Sequence, residues 1–331
     1  MHASHREQAM QSLLKNTAAY KLLKAEREKE RFGHAYLLAM DDARNLRLAA
    51  KTFAKLFFDC VDGSRISNLI ERETFSDCLF YPQTEKKFAV EDAERLSEEC
   101  FLQPVEGDRK LFVIIDFAEA NIPSQNKLLK LLEQPPEGVI FLLCATSVYP
   151  VLPTVLSRVE KLEIPPFSVE NVAACLRREY GTKYSEDDIS LCAAASGGVV
   201  GTAQNMLEGG GYKALLDDAF ALACATFEKL PALIRRVGET KHKKALLSLF
   251  RIIYRDALLI KTGKTEHLLL HCERVREQAL ASVRSEAALL FAQEALIAAE
   301  RELTFNAVFA QCIETFLASV MAKDEHKNTR G

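Results

Sequence analysis

The sequence lacks paired cysteines, a strong charge of either sign and any long apolar run. Its nine cysteines have no paired spacing, which indicates reduced thiols in a cytosolic protein rather than a disulfide framework. A net charge of -3 gives no overall attraction to nucleic acid, although a local basic face remains open. No run approaches the roughly 20 apolar residues that span a bilayer, and residues 1–15 contain no signal-peptide core. We therefore predict a cytoplasmic protein with no membrane contact.

The composition is that of an ordinary globular protein. The chain has 331 residues, of which 48% are hydrophobic and 27% are charged. This length exceeds one ordinary hydrophobic core, so it predicts two or three domains.

A strand–helix–strand pattern lies near the middle of the chain. Two unbroken apolar runs, Leu111–Ile115 and Val139–Cys144, predict strands buried on both faces, as in parallel sheets. Between them, Ser124–Glu133 has the apolar side of a helix. Polar residues follow both strands, at Asp116 and at positions 146–147. Because ligands of open α/β sheets bind at the carboxyl ends of strands, we expect these residues to lie at the site edge.

The flanking segments extend the same pattern. We predict one long helix over residues 5–30, strands at His34–Leu38 and Lys161–Ile164, a helix at Asn45–Phe58, and a strand and then a helix within 87–101. Residues 60–80 show no regular pattern. After residue 166 the periodicity is helical almost throughout.

Two stretches in and after the central strand–helix–strand pattern resemble clamp-loader ATPases, part of the AAA+ group. Asn126–Pro136 resembles the family's N-A-L-L-K-x-L-E-E-P-P stretch, and Phe141–Arg158 resembles its F-x-L-A-T-x…L-x-P-T-I-x-S-R stretch. Arg31–Leu37 resembles, more weakly, the R-L-P-H-A-Y-L that precedes the family's phosphate loop. The resemblance implies an α/β N-terminal domain with a RecA-like parallel sheet, a three-helix lid and an all-α collar domain.

Double prolines and a glycine triplet suggest where these domains meet. We predict an AAA+ α/β domain over residues 1–165, a lid over 166–209, a collar over 210–322 and a disordered polar tail over 323–331. In the family the collar holds the subunits of a ring together. Leu303–Val320 resembles the family's terminal helix, in which an asparagine precedes an aliphatic run, and Asn306 fits that place.

The phosphate loop of the family is degenerate here. In the pattern G-x-x-x-x-G-K-[ST], glycines let backbone amides wrap the phosphates, the lysine neutralises charge and the hydroxyl binds magnesium. The aligned residues are Met40 and Asn45 for the glycines, Leu46 for the lysine and Arg47 for the hydroxyl. Two aspartates lie between them. We therefore predict an ordinary strand-to-helix connection and no bound nucleotide cofactor.

Two further nucleotide contacts of the family are missing. The family's third strand ends in Asp-Glu, where the glutamate polarises the attacking water; here Asp116 is followed by Phe117, which accepts no proton. The family's lid helix carries a basic residue that touches the terminal phosphate, and Thr202 occupies that place. The resemblance therefore implies a subunit without its own ATPase activity.

The cysteines do not form the zinc module that many subunits of the family carry. Structural zinc sites use close C-x2–4-C pairs, because two ligands must converge from one turn. Cys60, Cys78 and Cys100 are widely spaced. We predict that they bind no metal.

One functional motif of the family is retained. Ser157 and Arg158 occupy the first two places of its S-R-C motif, and Val159 replaces the cysteine. The resemblance implies that Arg158 is an arginine finger, which enters the ATP site of a neighbouring subunit. A planar guanidinium stabilises the charge that develops during phosphoryl transfer. An ion-paired surface arginine at a helix end is the alternative interpretation.

The resemblance as a whole implies a non-hydrolysing subunit of the sliding-clamp loader of bacterial DNA polymerase III. Its partners would be gamma/tau-type ATPase subunits and a delta subunit, with the sliding clamp and primer–template DNA in the same complex. Three alternatives remain: an active AAA+ ATPase, a clamp-opening delta-type subunit, whose relatives usually lack the Ser-Arg pair, and a structural adaptor that kept the fold alone.

Overall fold

The computed structural model of the protein describes residues 2–83, 87–240, 242–270, 273–304 and 307–328. Asn306 lies outside these residues. The chain divides into two compact units, Met1–Pro166 and Phe167–Gly331. The boundary between a lid and a collar at residues 209 and 210 stays a prediction.

The first unit is built on a five-stranded parallel sheet in the order β2-β3-β4-β1-β5. The strands are β1 (Ala35–Met40), β2 (Cys78–Tyr81), β3 (Lys110–Ile114), β4 (Val139–Ala145) and β5 (Glu160–Ile164). The three central strands are buried almost throughout, as their unbroken apolar runs predict. The edge strand β2 lies in the segment for which the sequence indicated no regular structure, and the strand expected shortly before Glu91 is absent at residues 87–89.

Helices connect these strands. They are α1 (His2–Lys15), α2 (Ala18–Glu28), α3 (Leu46–Phe57), α4 (Arg65–Glu71), α5 (Val90–Glu99), α6 (Ile122–Glu133) and α7 (Pro153–Leu156), with a short 3-10 helix at Phe117–Glu119. The single helix predicted over residues 5–30 was wrong, because Thr17 starts a new one. Its hydroxyl accepts the backbone N–H of Tyr20 at 3.2 Å and so caps α2.

One side of the sheet packs on an aromatic core. Phe112 of β3 and Phe141 of β4 stack with ring centroids 5.8 Å apart. Leu128 and Leu132, one turn apart on α6, are fully buried in the same core. This packing fixes α6 against the sheet, and α6 in turn positions the segment that carries Arg158.

The second unit is helical. Its helices are α8 (Val169–Tyr180), α9 (Glu186–Ala195), α10 (Val200–Gly209), α11 (Tyr212–Ala223), α12 (Leu230–Val237), α13 (Lys243–Lys261), α14 (Arg274–Val283), α15 (Glu286–Thr304) and α16 (Phe309–Asn328), and a 3-10 turn lies at Thr265–His267. Ser168 and Ser185 cap α8 and α9. Helix α16 extends to Asn328, and the disordered tail over residues 323–331 stays a prediction.

No helix in the described residues is both long and apolar enough to cross a membrane.

Candidate functional site

The carboxyl ends of three neighbouring strands form the edge where the sequence places a ligand. Parallel pairing aligns Ala39 of β1 with Ala145 of β4, and Ile114 of β3 with Leu143 of β4. The loop after β1, Asp116 after β3 and residues 146–147 after β4 therefore lie along one edge of the sheet. The topology brings together the residues that correspond to the family's phosphate loop and to the aspartate of its Asp-Glu pair.

The carboxylate of Asp42 forms hydrogen bonds within the loop after β1. Asp42 is buried, and its Oδ1 accepts the backbone N–H of Asn45 at 3.1 Å. Its Oδ2 accepts Nδ2 of Asn45 at 2.8 Å. Leu46, at the position of the phosphate-binding lysine, is fully buried. The backbone amide of Asn45 is thus hydrogen-bonded to a carboxylate of the loop itself, whereas a phosphate-binding loop presents its amides to the ligand.

An ion pair fixes the start of α3. Nε of Arg47 donates to Glu73 at 2.6 Å, and Nη2 of Arg47 donates to the second oxygen of Glu73. Nζ of Lys51 lies 3.0 Å from Glu73. Burial alone would raise the pKa of Glu73, but the hydrogen bonds from Arg47 and Lys51 lower it below its usual value. Arg47 is therefore engaged by protein carboxylate at the position where the family has its magnesium ligand.

Asp116 is the one acidic residue of the family's motif that this edge retains. It is exposed and adopts a left-handed conformation with φ 52°. Partial desolvation and the neighbouring Glu119 raise its pKa, while the guanidinium of Arg47 lowers it.

Phe117 belongs to the core of the unit. It is fully buried, and its ring centroid lies 6.4 Å from that of Phe88. Glu119, two residues later, is exposed and pairs with Lys87 at 2.5 Å. Neither position presents a general base at the end of β3.

Thr202 lies in the first turn of α10, in the second unit, and is half-buried.

The described cysteines are free thiols. Cys78 and Cys100 are buried, and Cys60 is partly buried. Burial raises the pKa of Cys100 to about 12 and that of Cys78 well above its usual value. Metal ligation needs the thiolate, which burial disfavours here. Within the described ranges, no group of three or more His, Cys, Asp or Glu side chains is arranged to hold a metal ion.

We expect the purified protein to contain no stoichiometric zinc. Elemental analysis of protein prepared without a metal-affinity tag measures this directly, and a zinc-binding subunit of the same family provides the positive control. About one equivalent of zinc retained through dialysis would contradict the prediction.

Helix α6 anchors the segment that carries Arg158. The side chain of Gln125, 1% exposed, donates to the backbone oxygens of Ala120 at 3.0 Å and Pro150 at 3.2 Å. Its Oε1 accepts the backbone N–H of Leu152 at 2.9 Å. Val155 of α7 is fully buried against the same core. The short helix α7 and its C-terminal residues are therefore held in a defined position.

The Arg158 guanidinium is ordered by contacts within the unit. Nε donates to Oε1 of Glu133 at 2.8 Å, and Nη2 donates to the same oxygen. Nη1 donates to the backbone oxygen of Thr154 at 2.6 Å and to Oγ of Ser157 at 3.0 Å. The side chain of Arg158 is 31% exposed and that of Glu133 is 48% exposed. This is the ion-paired helix-end arginine of the alternative interpretation, and it is also accessible from outside.

Arg158 and the phosphate-loop position lie at different edges of the sheet. Glu160, two residues after Arg158, pairs with Tyr36 near the start of β1. The degenerate loop begins at Asp41, five residues further along β1. At about 3.3 Å per residue this is about 16 Å along the strand. Arg158 therefore emerges near the amino ends of the strands, away from the loop of its own chain.

A parallel sheet of this order, with a strand-to-helix loop at the phosphate-binding position and a helical second unit, defines the AAA+ class of fold. Residues 15–168 match a family model described as DNA polymerase III, delta subunit. The delta' subunit of Bacillus subtilis DNA polymerase III is 25% identical over 289 residues, which cover 80% of this chain and 84% of that protein. The chain is thus similar to clamp-loader subunits of DNA polymerase III, and over most of its length to a delta' subunit.

Other relatives match shorter stretches. The tau/gamma subunit of Haemophilus influenzae is 33% identical over 136 residues, which cover 39% of this chain and 20% of that protein.

Among solved structures, the clamp-loader delta protein of Bacillus subtilis has a TM-score of 0.34 at 15% identity, with 91% and 99% of the two chains covered. The RuvB Holliday junction branch migration motor of Thermotoga maritima has a TM-score of 0.42 at 15% identity, with 80% and 84% covered.

Sequence reasoning missed three residues that shape these two edges. Glu73 pairs with Arg47 from 26 positions away, and no local pattern indicates it. Glu133 was included in the helix but not linked to Arg158. Gln125 did leave a signal, because it lies three residues before Leu128 on the apolar stripe of α6. A polar side chain on such a stripe usually has hydrogen-bond partners.

Proposed function

We propose that this chain is a catalytically silent, delta-prime-like subunit of the sliding-clamp loader, acting during DNA replication. It contributes contacts to neighbouring gamma/tau-type and delta subunits, and Arg158 acts in trans at an ATP site that belongs to a neighbour. The observation that carries the proposal is a contrast. The loop that would bind a nucleotide is occupied by side chains of the protein itself, whereas Arg158 is held accessible at the other edge.

The electrostatics of the loop favour the silent interpretation over an active ATPase. A triphosphate at this edge would face the carboxylates of Asp42 and Asp116, without the lysine that normally neutralises it. Arg47, at the start of α3, is paired with Glu73. Binding would therefore require breaking a part-buried ion pair and displacing Asp42 from the amide of Asn45.

We expect the isolated chain to bind magnesium-ATP too weakly for a fitted isotherm. Calorimetric titration measures this, with a gamma/tau-type ATPase subunit as the positive control. Micromolar affinity, which corresponds to about -8 kcal/mol, would contradict the prediction and favour the active-ATPase alternative.

The position of Arg158 supports its use in trans. The backbone of Glu160, two residues after Arg158, pairs with β1 about 16 Å along the strand from the loop after β1, and that loop offers no phosphate to act on. In a ring of similar subunits, the exposed end of α7 would face an adjacent subunit. A guanidinium placed there would stabilise the charge on the transferring phosphoryl group and tie hydrolysis to assembly.

Assembly with partners tests the proposal as a whole. We expect the chain to co-purify with gamma/tau-type and delta subunits in a complex of defined mass, which also loads the sliding clamp on primer–template DNA. A chain that never joins such a complex would favour the structural-adaptor alternative. A chain that opens the clamp by itself would favour the delta-type alternative.

A further inference from the structure

The Arg158 guanidinium uses four of its five N–H groups inside its own chain. Nε and Nη2 each give one to Glu133, and Nη1 gives one to Thr154 and one to Ser157. Arginine has five N–H donors. These contacts leave one N–H, on Nη2, for an acceptor outside the described residues. The edge formed by Nε and Nη2, which best fits an anionic oxygen pair, is held by Glu133.

We propose that Glu133 is a positioning residue for Arg158. Its carboxylate binds Nε and Nη2 of the guanidinium until a phosphate of a neighbour's ATP replaces it. The inference rests on the proposed function of Arg158 in trans. Carboxylate and phosphate oxygens compete for the same donors, so the two contacts exclude each other. Glu133 therefore sets how readily the arginine is released to its target.

The accessibility of the pair suits such an exchange. Both side chains are partly exposed, at 31% for Arg158 and 48% for Glu133. An exposed ion pair favours the closed arrangement by no more than about fivefold, so a phosphate can displace it. A buried pair would hold the arginine too strongly.

The location of Glu133 suggests a role beyond stabilising its helix. It is the last residue of α6, where a negative charge is unfavourable against the helix dipole. The same helix anchors the loop before α7 through Gln125. The carboxylate and the backbone that carries Arg158 are therefore held by one rigid element, which keeps their geometry constant.

The test uses the complete reconstituted clamp loader with Glu133→Gln, Arg158→Ala and the double variant. Glutamine keeps the size and an acceptor oxygen but removes the charge. We expect Glu133→Gln to lower the apparent KM for ATP about two- to fivefold with kcat nearly unchanged, because only the hold on the resting arginine is weakened. The double variant should match Arg158→Ala. Glu137→Gln, an exposed carboxylate four residues away, is the matched control and should match wild type.

Two results would overturn the inference. A fall in kcat with Glu133→Gln would show that the carboxylate supports the arginine during reaction and is not exchanged. An effect of Glu133→Gln that persists in the Arg158→Ala background would show that Glu133 acts by another route. Wild-type turnover in Arg158→Ala would instead refute the proposed function of Arg158 itself, so the two failures are distinguishable.

Discussion

Replacing Arg158 by alanine is expected to abolish the contribution of one ATP site in a reconstituted clamp loader while assembly remains intact. Arginine fingers supplied in trans contribute on the order of 10³–10⁵ in turnover. The total DNA-stimulated ATPase rate should therefore fall by nearly the whole share of the site that Arg158 serves. Clamp loading should fall with it, since hydrolysis at that site no longer follows assembly.

Assembly should survive because the local structure does not depend on the guanidinium. The segment is held by Val155 in the core and by the hydrogen bonds of Gln125. The exposed pair with Glu133 contributes only about 0.2–1 kcal/mol to stability. Mass measurement of the purified complex checks that the variant is incorporated.

Arg158→Lys separates charge from shape. Lysine offers a compact, mobile ammonium, whereas arginine offers a planar fork of donors. We expect lysine to restore little of the lost turnover. Arg65→Ala is the matched control, since Arg65 is also an exposed arginine in an ion pair, with Glu106 at 2.6 Å. Wild-type turnover and loading in Arg158→Ala, with assembly verified, would leave Arg158 as a surface ion pair.

The central part of the fold was predictable because its signals are local. The apolar runs that became β3 and β4 are long enough to be recognised without tertiary context, and the structure confirms both. Strand β2 has four residues, Cys78–Tyr81, and forms by pairing with β3. Its register aligns Cys78 with Leu111, 33 positions later. No local periodicity indicates a strand whose stability comes from such a distant partner.

The candidate site was also predictable only in part. The lost phosphate-loop residues and the retained Arg158 follow from aligned motifs, because each function needs a particular residue type at a particular spacing. The contacts that Arg47 and Arg158 make in the structure do not follow from these motifs. Glu73 reaches Arg47, and Glu133 reaches Arg158, through the way helices pack on the sheet. Ion pairs between residues so far apart in the chain leave no pattern in a single sequence.

A buried acidic pair in the second unit predicts a large pH effect on stability. Asp256 of α13 and Glu277 of α14 are both fully buried. Asp256 accepts the backbone N–H groups of Leu269 at 2.7 Å and Leu270 at 2.9 Å, and Nη1 of Arg255 at 2.7 Å. Neither carboxyl oxygen of Glu277 has a hydrogen-bond donor among the described residues. Among the described residues, Glu277 thus has no donor that would stabilise a negative charge on its buried carboxyl group.

The titration of Glu277 follows from this arrangement. Burial, together with the negative charges of Asp256 and Glu273, raises its pKa to about 9, while Arg255 opposes the shift. In the unfolded chain the same group ionises near 4.5. Between these values the folded protein holds one more proton than the unfolded chain. The contribution of Glu277 to the free energy of unfolding is fully present below pH 4.5. It is lost as the pH rises towards 9, by about 1.4 kcal/mol per pH unit.

Glu277→Gln should remove this dependence. Glutamine is neutral at every pH and close to glutamate in size, so the variant removes the titration with little change in packing. Between pH 5 and pH 8, we expect the free energy of unfolding of the wild-type protein to fall by roughly 3–4 kcal/mol more than that of the variant. Urea denaturation followed by circular dichroism measures the difference, and hydrogen exchange in α13 and α14 locates it. Glu314→Gln, at an exposed position of α16, is the matched control. Parallel pH profiles for wild type and Glu277→Gln would show that Glu277 is ionised in the folded protein.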